Sequence, residues 1–273
     1  IIEPLLWAAA APLVFTLRTR IARALVALIL AIGVGLTFFT GMVPMPLAIA
    51  YTTVTALLLV CARRYSPQYS IRCGVGLWLA VTFGFIATSH FAGRRVETVA
   101  AHAFPRAHVL DHVLTPMPVN PICWEIILVQ REGESLVLRR GMMSMLPAWI
   151  TAARCPGRGL DLAITAPLQP VGAPNDDILQ WYGEVRSPLG LLRELWRENC
   201  RVDAFMRFAR APWLSRIVDK WVVGDLRYDR ETELGFAELE IESEAERCPN
   251  VLPPWVPPRE ELRAASGTRQ RSD

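Results

Sequence analysis

The sequence predicts a membrane α-helical protein, about four spanning helices, followed by a small α+β domain with an antiparallel sheet. Three observations predict it. Half of the residues are apolar, 52%, and the mean hydropathy of +0.27 is high for a chain that folds in water. The apolar residues fall in consecutive runs before Val96, where Glu3 is the only acid against eight arginines. That part therefore carries +7; the whole chain is +3, which leaves −4 for the acid-rich remainder.

The first apolar run, Pro4 to Leu17, is short for a span. The second (Ile21 to Phe39), third (Val43 to Ala62) and fourth (Cys73 to Ala92) approach the ~20 residues a helix needs to cross ~30 Å of hydrocarbon. A backbone in lipid must bond to itself, so isolated apolar runs of this length are helices. Arg23 sits in the first turn of the second run, where its side chain reaches the headgroups rather than serving as an intramembrane charge. Pro44 and Pro46 open the third run, where a missing amide donor costs little.

Arginine placement predicts orientation. Arg18, Arg20 and Arg23 lie between the first two runs, and Arg63, Arg64 and Arg72 between the last two, while TGMVPMP between the second and third is uncharged. By the positive-inside rule the arginine-bearing connections are cytoplasmic and the domain after the fourth run is extracytoplasmic. Arg94 and Arg95 run against that rule. No signal-peptide pattern is read at Ile1, and a start inside an apolar run predicts coding sequence upstream.

The predicted organisation is a transmembrane region 1–95, a connector 96–115, an α+β domain 116–245 and a disordered proline- and charge-rich tail 246–273. Ile122 to Gln130 and SLVLRR, joined by REGE, predict a hairpin. NDDILQWYGEV and PLGLLRELWRENCRVDAFMRFAR have helical spacing, with Pro188 near the start of the second. IVDKWVVGDLRYD is strand-like, and ELGFAELEIE alternates with period two, placing Ala237, Leu239 and Ile241 on one face.

The lipid bilayer is the expected partner, with a protein partner for the α+β domain. A nucleic acid is excluded, because no basic stripe or basic–aromatic interleaving is present. Six cysteines show no C-x-x-C spacing; disulfides in an extracytoplasmic domain and buried free thiols both remain open. All four histidines fall between His90 and His112. If AHVLDHV is helical, His108 and His112 share a face and, with His102 or a carboxylate, offer a divalent-metal site; a solvated connector is the blander alternative. Asp176 and Asp177 follow Pro174 and Asn175, where helix capping accounts for them. No G-x-S-x-G, Walker or G-x-G-x-x-G pattern is present.

Two motifs stand out. TPMPVNPICWE sets three prolines and Asn120 before Trp124, a rigid turn leading into an aromatic anchor. WVVGDLRYD places Asp225 and Arg227 on one face of an extended segment, as an ion pair or a ligand clamp, the ion pair being favoured. Together with FMRFARAPW, these motifs resemble, in this order, a bacterial inner-membrane family described as membrane-bound, metal-dependent hydrolases, some with a LexA-binding label. The opening IIEP is similar to an internal segment of that family that begins a transmembrane helix, Asp being usual where Glu3 stands. The resemblance runs to about Ile241 and implies a divalent metal for the full-length protein. The family's presumed ligands are threonine–histidine, Asp-x-Asp and His-Arg motifs upstream of the segment similar to IIEP. None occurs here, so no ligand is assignable in this chain. It implies Asn120, Trp124, Asp225 and Arg227 as contributors to substrate or partner binding. The alternative, from a different class, is a non-catalytic membrane-anchored interaction module in which these residues are structural. A transporter fits less well, because no acid lies within the spans to couple ions.

Overall fold

The computed structural model describes residues 4–156 and 164–241, together with Cys248 and Leu262. Contacts divide the chain into two units: Ile1–Arg95, Thr115–Glu125 and Met143–Gly157 in one, Val96–Leu114, Ile126–Met142 and Arg158–Asp273 in the other.

The first unit is built on helices. Two short ones, α1 (Pro4–Ala8) and α2 (Leu13–Thr16), precede α3 (Arg20–Phe39), α4 (Met45–Arg64) and α5 (Pro67–Ala103). The last three are each long and apolar enough to cross a membrane. Thr19 caps α3 by accepting from the Ala22 amide, and Pro44 precedes α4 with Pro46 in its first turn. Arg23 turns back and donates to the Leu17 carbonyl, 2.7 Å away, consistent with a charge leaving the apolar zone. Large apolar side chains face outward: Leu25 and Ile32 on α3, Leu57 and Val60 on α4, Phe83 and Ile86 on α5. Water would penalise so much contiguous apolar surface. Buried contacts instead use small and polar residues. A Cβ at Gly74 would stand 2.5 Å from the Ala9 carbonyl oxygen, and one at Gly33 would stand 2.7 Å from the Tyr51 hydroxyl.

A two-residue turn, Pro118–Val119, joins β1 (His108–Met117) to β2 (Asn120–Glu132) and packs among these helices. Val119 has a φ of +57°, a sterically costly conformation for a β-branched residue. It is buried against Ala8 and Tyr51, with Leu5, Val34 and Leu77 around them. The apolar cluster holds the turn in this conformation.

In the second unit, β2 returns through Gly133 (φ +59°) into β3 (Ser135–Ser144), and β4 (Leu179–Pro188) completes a sheet of order β1-β2-β3-β4. Helices α6 (Leu189–Glu198) and α7 (Cys200–Met206) follow, then the antiparallel sheet β5 (Pro212–Ile217), β6 (Lys220–Asp225) and β7 (Glu238–Ile241). Asn199 separates α6 from α7, and its side chain accepts from the Arg201 and Val202 amides to start the second helix. One core joins both sheets and α6 through Val129, Leu138, Val185, Leu192, Trp213 and Val223. Trp213 pairs with Gly224 across β5 and β6, and a Cβ at Gly224 would lie 2.4 Å from the indole, so only glycine fits.

Four expectations need correction or restriction. The expected connector does not begin at residue 96, because α5 continues to Ala103 and β1 starts at His108. NDDILQWYGEV is not helical. Asp176 accepts from the Ile178 and Leu179 amides in a tight turn, a strand lead-in rather than a helix cap. From Leu179 the backbone is strand, and Gly141 lets it approach closely: a Cβ there would meet the Gln180 carbonyl oxygen at 2.7 Å. Short apolar runs fit either period, and pairing with β3 decides this one. Of the proline- and charge-rich tail, only Cys248 and Leu262 lie within the described residues. Leu262 is buried in the second unit's core, and its carbonyl accepts from Arg193 at 2.7 Å.

Candidate functional site

Two of the three sequence motifs meet at one place. Asp225 ends β6, fully buried, and its carboxylate accepts from the backbone amides of Arg210, Ala211 and Arg227. The Arg227 guanidinium closes the arrangement, with Nη2 2.6 Å from Asp225 and 3.0 Å from the Phe208 carbonyl oxygen. The favoured ion pair is formed, but not on one face of an extended segment as expected. Strand β6 ends at Asp225, and residues 226–228 turn, closed by the Tyr228 amide on the Asp225 carbonyl, which brings Arg227 back onto the carboxylate. The pair fastens the end of FMRFARAPW to GDLRYD by charge-assisted hydrogen bonds.

The outer side of this tie is aromatic. The Arg227 guanidinium carbon lies 4.8 Å from the Tyr228 ring centre and 5.4 Å from that of Phe208. Phe208 and Tyr228 stack at 5.4 Å, and Phe236 stands edge-on to both, at 6.0 and 5.9 Å. Phe236 is 83% exposed and Tyr228 44%. Arg210 approaches from the other direction and binds Asp111 on β1, at 2.9 and 3.1 Å, and the His112 carbonyl.

The segment carrying Phe236 is tethered by two carboxyl groups. Asp229 is buried and accepts from the Thr165 and Ala166 amides at 2.7 and 2.8 Å. Glu238 accepts from the Gly235 amide at 2.9 Å and is close enough to Asp229 for the two carboxyl groups to interact. Burial raises the pKa of Asp229 above its ordinary value, against its amide donors and the charge of Arg140. Burial also raises Glu238, and the neighbouring Asp229 charge adds to the shift.

The proline motif serves the other unit. The Asn120 side-chain oxygen accepts from the Ile122 and Cys123 amides at 3.0 and 3.2 Å, satisfying the backbone where the chain leaves the turn. Its buried amide nitrogen has no partner among the described residues. Trp124 donates to the Pro121 carbonyl at 2.8 Å and meets Phe85 of α5 edge-on at 6.5 Å. A disulfide joins Cys123 to Cys155, and a second joins Cys200 to Cys248; Cys61 and Cys73 are free thiols.

The histidines do not form the expected helical face. His90 and His102 lie on α5, where the His102 ring donates to the Thr98 carbonyl, and His108 and His112 lie on β1. Residues four apart on a strand are separated by roughly 13 Å, too far to share an ion. His112 instead faces Glu97 at 3.5 Å. Among the described residues no group of three or more His, Cys, Asp or Glu side chains is placed to hold a metal, so no step through a metal is derived.

Sequence reasoning missed a buried charge network. Arg139 on β3, almost wholly buried, donates to Glu184 at 2.7 Å and Glu132 at 3.0 Å, and lies 3.7 Å over the Phe104 ring. Arg186 bridges the same two acids. Burial works against ionisation of Glu132, yet hydrogen bonds from Arg139 and Arg186 hold its pKa below the ordinary value. The only sequence signal was a pair of arginines inside a strand bounded by apolar residues. The Phe208–Tyr228–Phe236 cluster was also missed, although the first two residues lie in the motifs singled out. No family model, curated protein or solved structure matches this chain.

Proposed function

We propose that this chain is a membrane-anchored interaction module. On this reading α3, α4 and α5 cross a lipid bilayer, the α+β unit stands on the extracytoplasmic face, and Phe236, Tyr228 and Phe208 receive a protein partner. The observation that carries it is an exposed aromatic cluster backed by a fixed ion pair. Aromatic side chains with little freedom left to lose are the usual anchors of protein interfaces, and Arg227 immobilises two of these three. Photo-crosslinking tests it. A photoreactive residue in place of Phe236 is expected to give a discrete adduct in cells that the Tyr228→Ala change removes. The same residue at Asp219, 89% exposed on the β5–β6 turn, serves as control. Equal labelling from both positions overturns the interface.

The cysteines support the orientation. Both disulfides join segments that follow the last long apolar helix, whereas the free thiols Cys61 and Cys73 flank the connection bearing Arg63, Arg64 and Arg72. Arg95 runs against the positive-inside rule but has a structural use: it donates to the Met145 carbonyl at 2.9 Å.

A second reading, part of a bacterial inner-membrane, metal-dependent hydrolase, is favoured by one observation. FMRFARAPW and GDLRYD, two motifs of the resemblance, converge on Asp225. Any divalent metal would then be held by residues other than those described. Metal analysis and a hydrolase substrate screen on the full-length protein in detergent test it; a metal-free, inactive preparation counts against it.

A further inference from the structure

Within the helical unit, the segment after β3 makes a tight turn in which the Trp149 and Ile150 amides both bond to the Leu146 carbonyl, at 2.9 and 3.1 Å. The Ser144 hydroxyl donates to the Ile150 carbonyl, and the Cys123–Cys155 disulfide holds the chain a few residues on. The turn is thus pinned at several points, yet it presents its largest apolar side chains outward. Trp149 is 78% exposed and Leu146 47%. A lone exposed leucine needs no explanation, but a tryptophan and a leucine displayed together by a pinned turn do.

The contact with α5 indicates what covers them. Arg95 donates to the Met145 carbonyl, the residue next to the turn. The apolar run on α5 ends at Ala92, and Arg95 lies three residues further, about 4.5 Å along the axis at the α-helical rise. The run itself is about 30 Å long, the thickness of the hydrocarbon, so its end marks the edge of the acyl region. On that geometry Arg95 stands among headgroups, and the turn it holds stands with it. Deeper non-helical backbone must be covered by protein, and that rule is met: Val119 is enclosed by helices, and Trp124 packs on Phe85, some 15 Å below Arg95 by helical rise. The uncovered turn sits higher, where tryptophan is favoured because its ring is apolar and its N–H is polar.

We propose that Leu146 and Trp149 form an interfacial anchor that inserts into the headgroup–acyl boundary of the leaflet at the Arg95 end of α5. The inference rests on the membrane-anchored reading. Its occupant is phospholipid, not a second copy of the chain or another protein.

The test uses the full chain, disulfides intact, in phosphatidylcholine–phosphatidylglycerol vesicles with and without bromine on the acyl chains. Emission of the wild type minus that of Trp149→Phe isolates Trp149. The Trp78→Phe difference isolates Trp78, an exposed residue within the apolar run of α5. Both difference signals are expected to lose most of their intensity in brominated vesicles. Bromine near the headgroups should act most strongly on Trp149. Quenching of Trp78 without quenching of Trp149 overturns the anchor, as a covering protein or second copy would, and leaves the membrane reading standing. Absence of quenching at both overturns the membrane reading itself. Trp149 is so exposed that phenylalanine disturbs no packing, and retention of two free thiols per chain checks that the fold is intact.

Discussion

The two units of this chain place their polar and apolar groups in opposite ways. In the helical unit, large apolar side chains face out, while buried hydroxyls such as Thr37 and Thr55 bond to the carbonyls of their own helices. In the α+β unit the interior holds apolar residues together with charges: Arg139, Arg140, Asp225 and Asp229 are all buried. The contrast is the one expected if a single chain folds in two solvents, as proposed above. In the helical unit, close approach at small residues such as Gly33 and Gly74 brings the helices together. In the α+β unit, hydrophobic burial dominates, and each buried charge must be matched by partners.

The largest expected effect breaks the charge side of this comparison. Asp225→Ala strands Arg227 and leaves three amides without their acceptor, and should cost about 3–5 kcal/mol. Denaturant unfolding of the α+β unit in detergent measures it. Asp225→Ala with Arg227→Ala should lose less than the sum of the single changes if the pair acts as one tie. Next is the Cys200–Cys248 bond, which closes a 48-residue separation; serine at both positions should cost about 2–4 kcal/mol in the same assay.

Glycine packing compares the units directly. Gly224→Ala forces the indole of Trp213 aside and should cost about 1–3 kcal/mol by overpacking. Gly74→Ala should be similarly costly in the helical unit, because its Cβ meets backbone at Ala9. Gly76→Ala, with nothing within 4 Å, should be neutral or slightly stabilising in a helix. Thermal melts of the three variants test this order.

The smallest effect concerns pH. Asp229 and Glu238 titrate higher in the folded chain than in the unfolded one. Protonation therefore favours the fold: the contribution is complete below the ordinary values of 3.8 and 4.5, and is lost as pH rises through the elevated folded values. Glu238→Gln imitates the protonated form. It should melt slightly higher than the wild type at pH 7 and at the same temperature near pH 4. A variant that melts lower at pH 7 contradicts the assignment.

The helical unit was legible in the sequence because its signal, apolar length, is one-dimensional. The run Ile21 to Phe39 lies one residue from the observed α3, and Pro44 marks the start of α4. The signal stops working in two places: Pro4 to Leu17 holds two short helices, α1 and α2, and α5 outruns its apolar stretch at both ends, from Pro67 to Ala103. The α+β unit was legible where one side of a strand meets water, as in Glu238–Ile241, and where helix spacing was long, as in α6 and α7. It was illegible at Leu179–Pro188, a strand settled by a neighbour distant in sequence. The site followed the same division. The Asp225–Arg227 pair was readable because its members are two residues apart. Phe236 beside Phe208, and Arg139 between Glu132 and Glu184, depend on pairings that no local spacing encodes.

Removing detergent from the purified chain, with and without liposomes, decides whether α3, α4 and α5 belong in lipid. With liposomes the protein should float with the vesicles and resist alkaline carbonate; without them it should aggregate. A monodisperse 30.5 kDa monomer in plain buffer, by light scattering, would contradict the account.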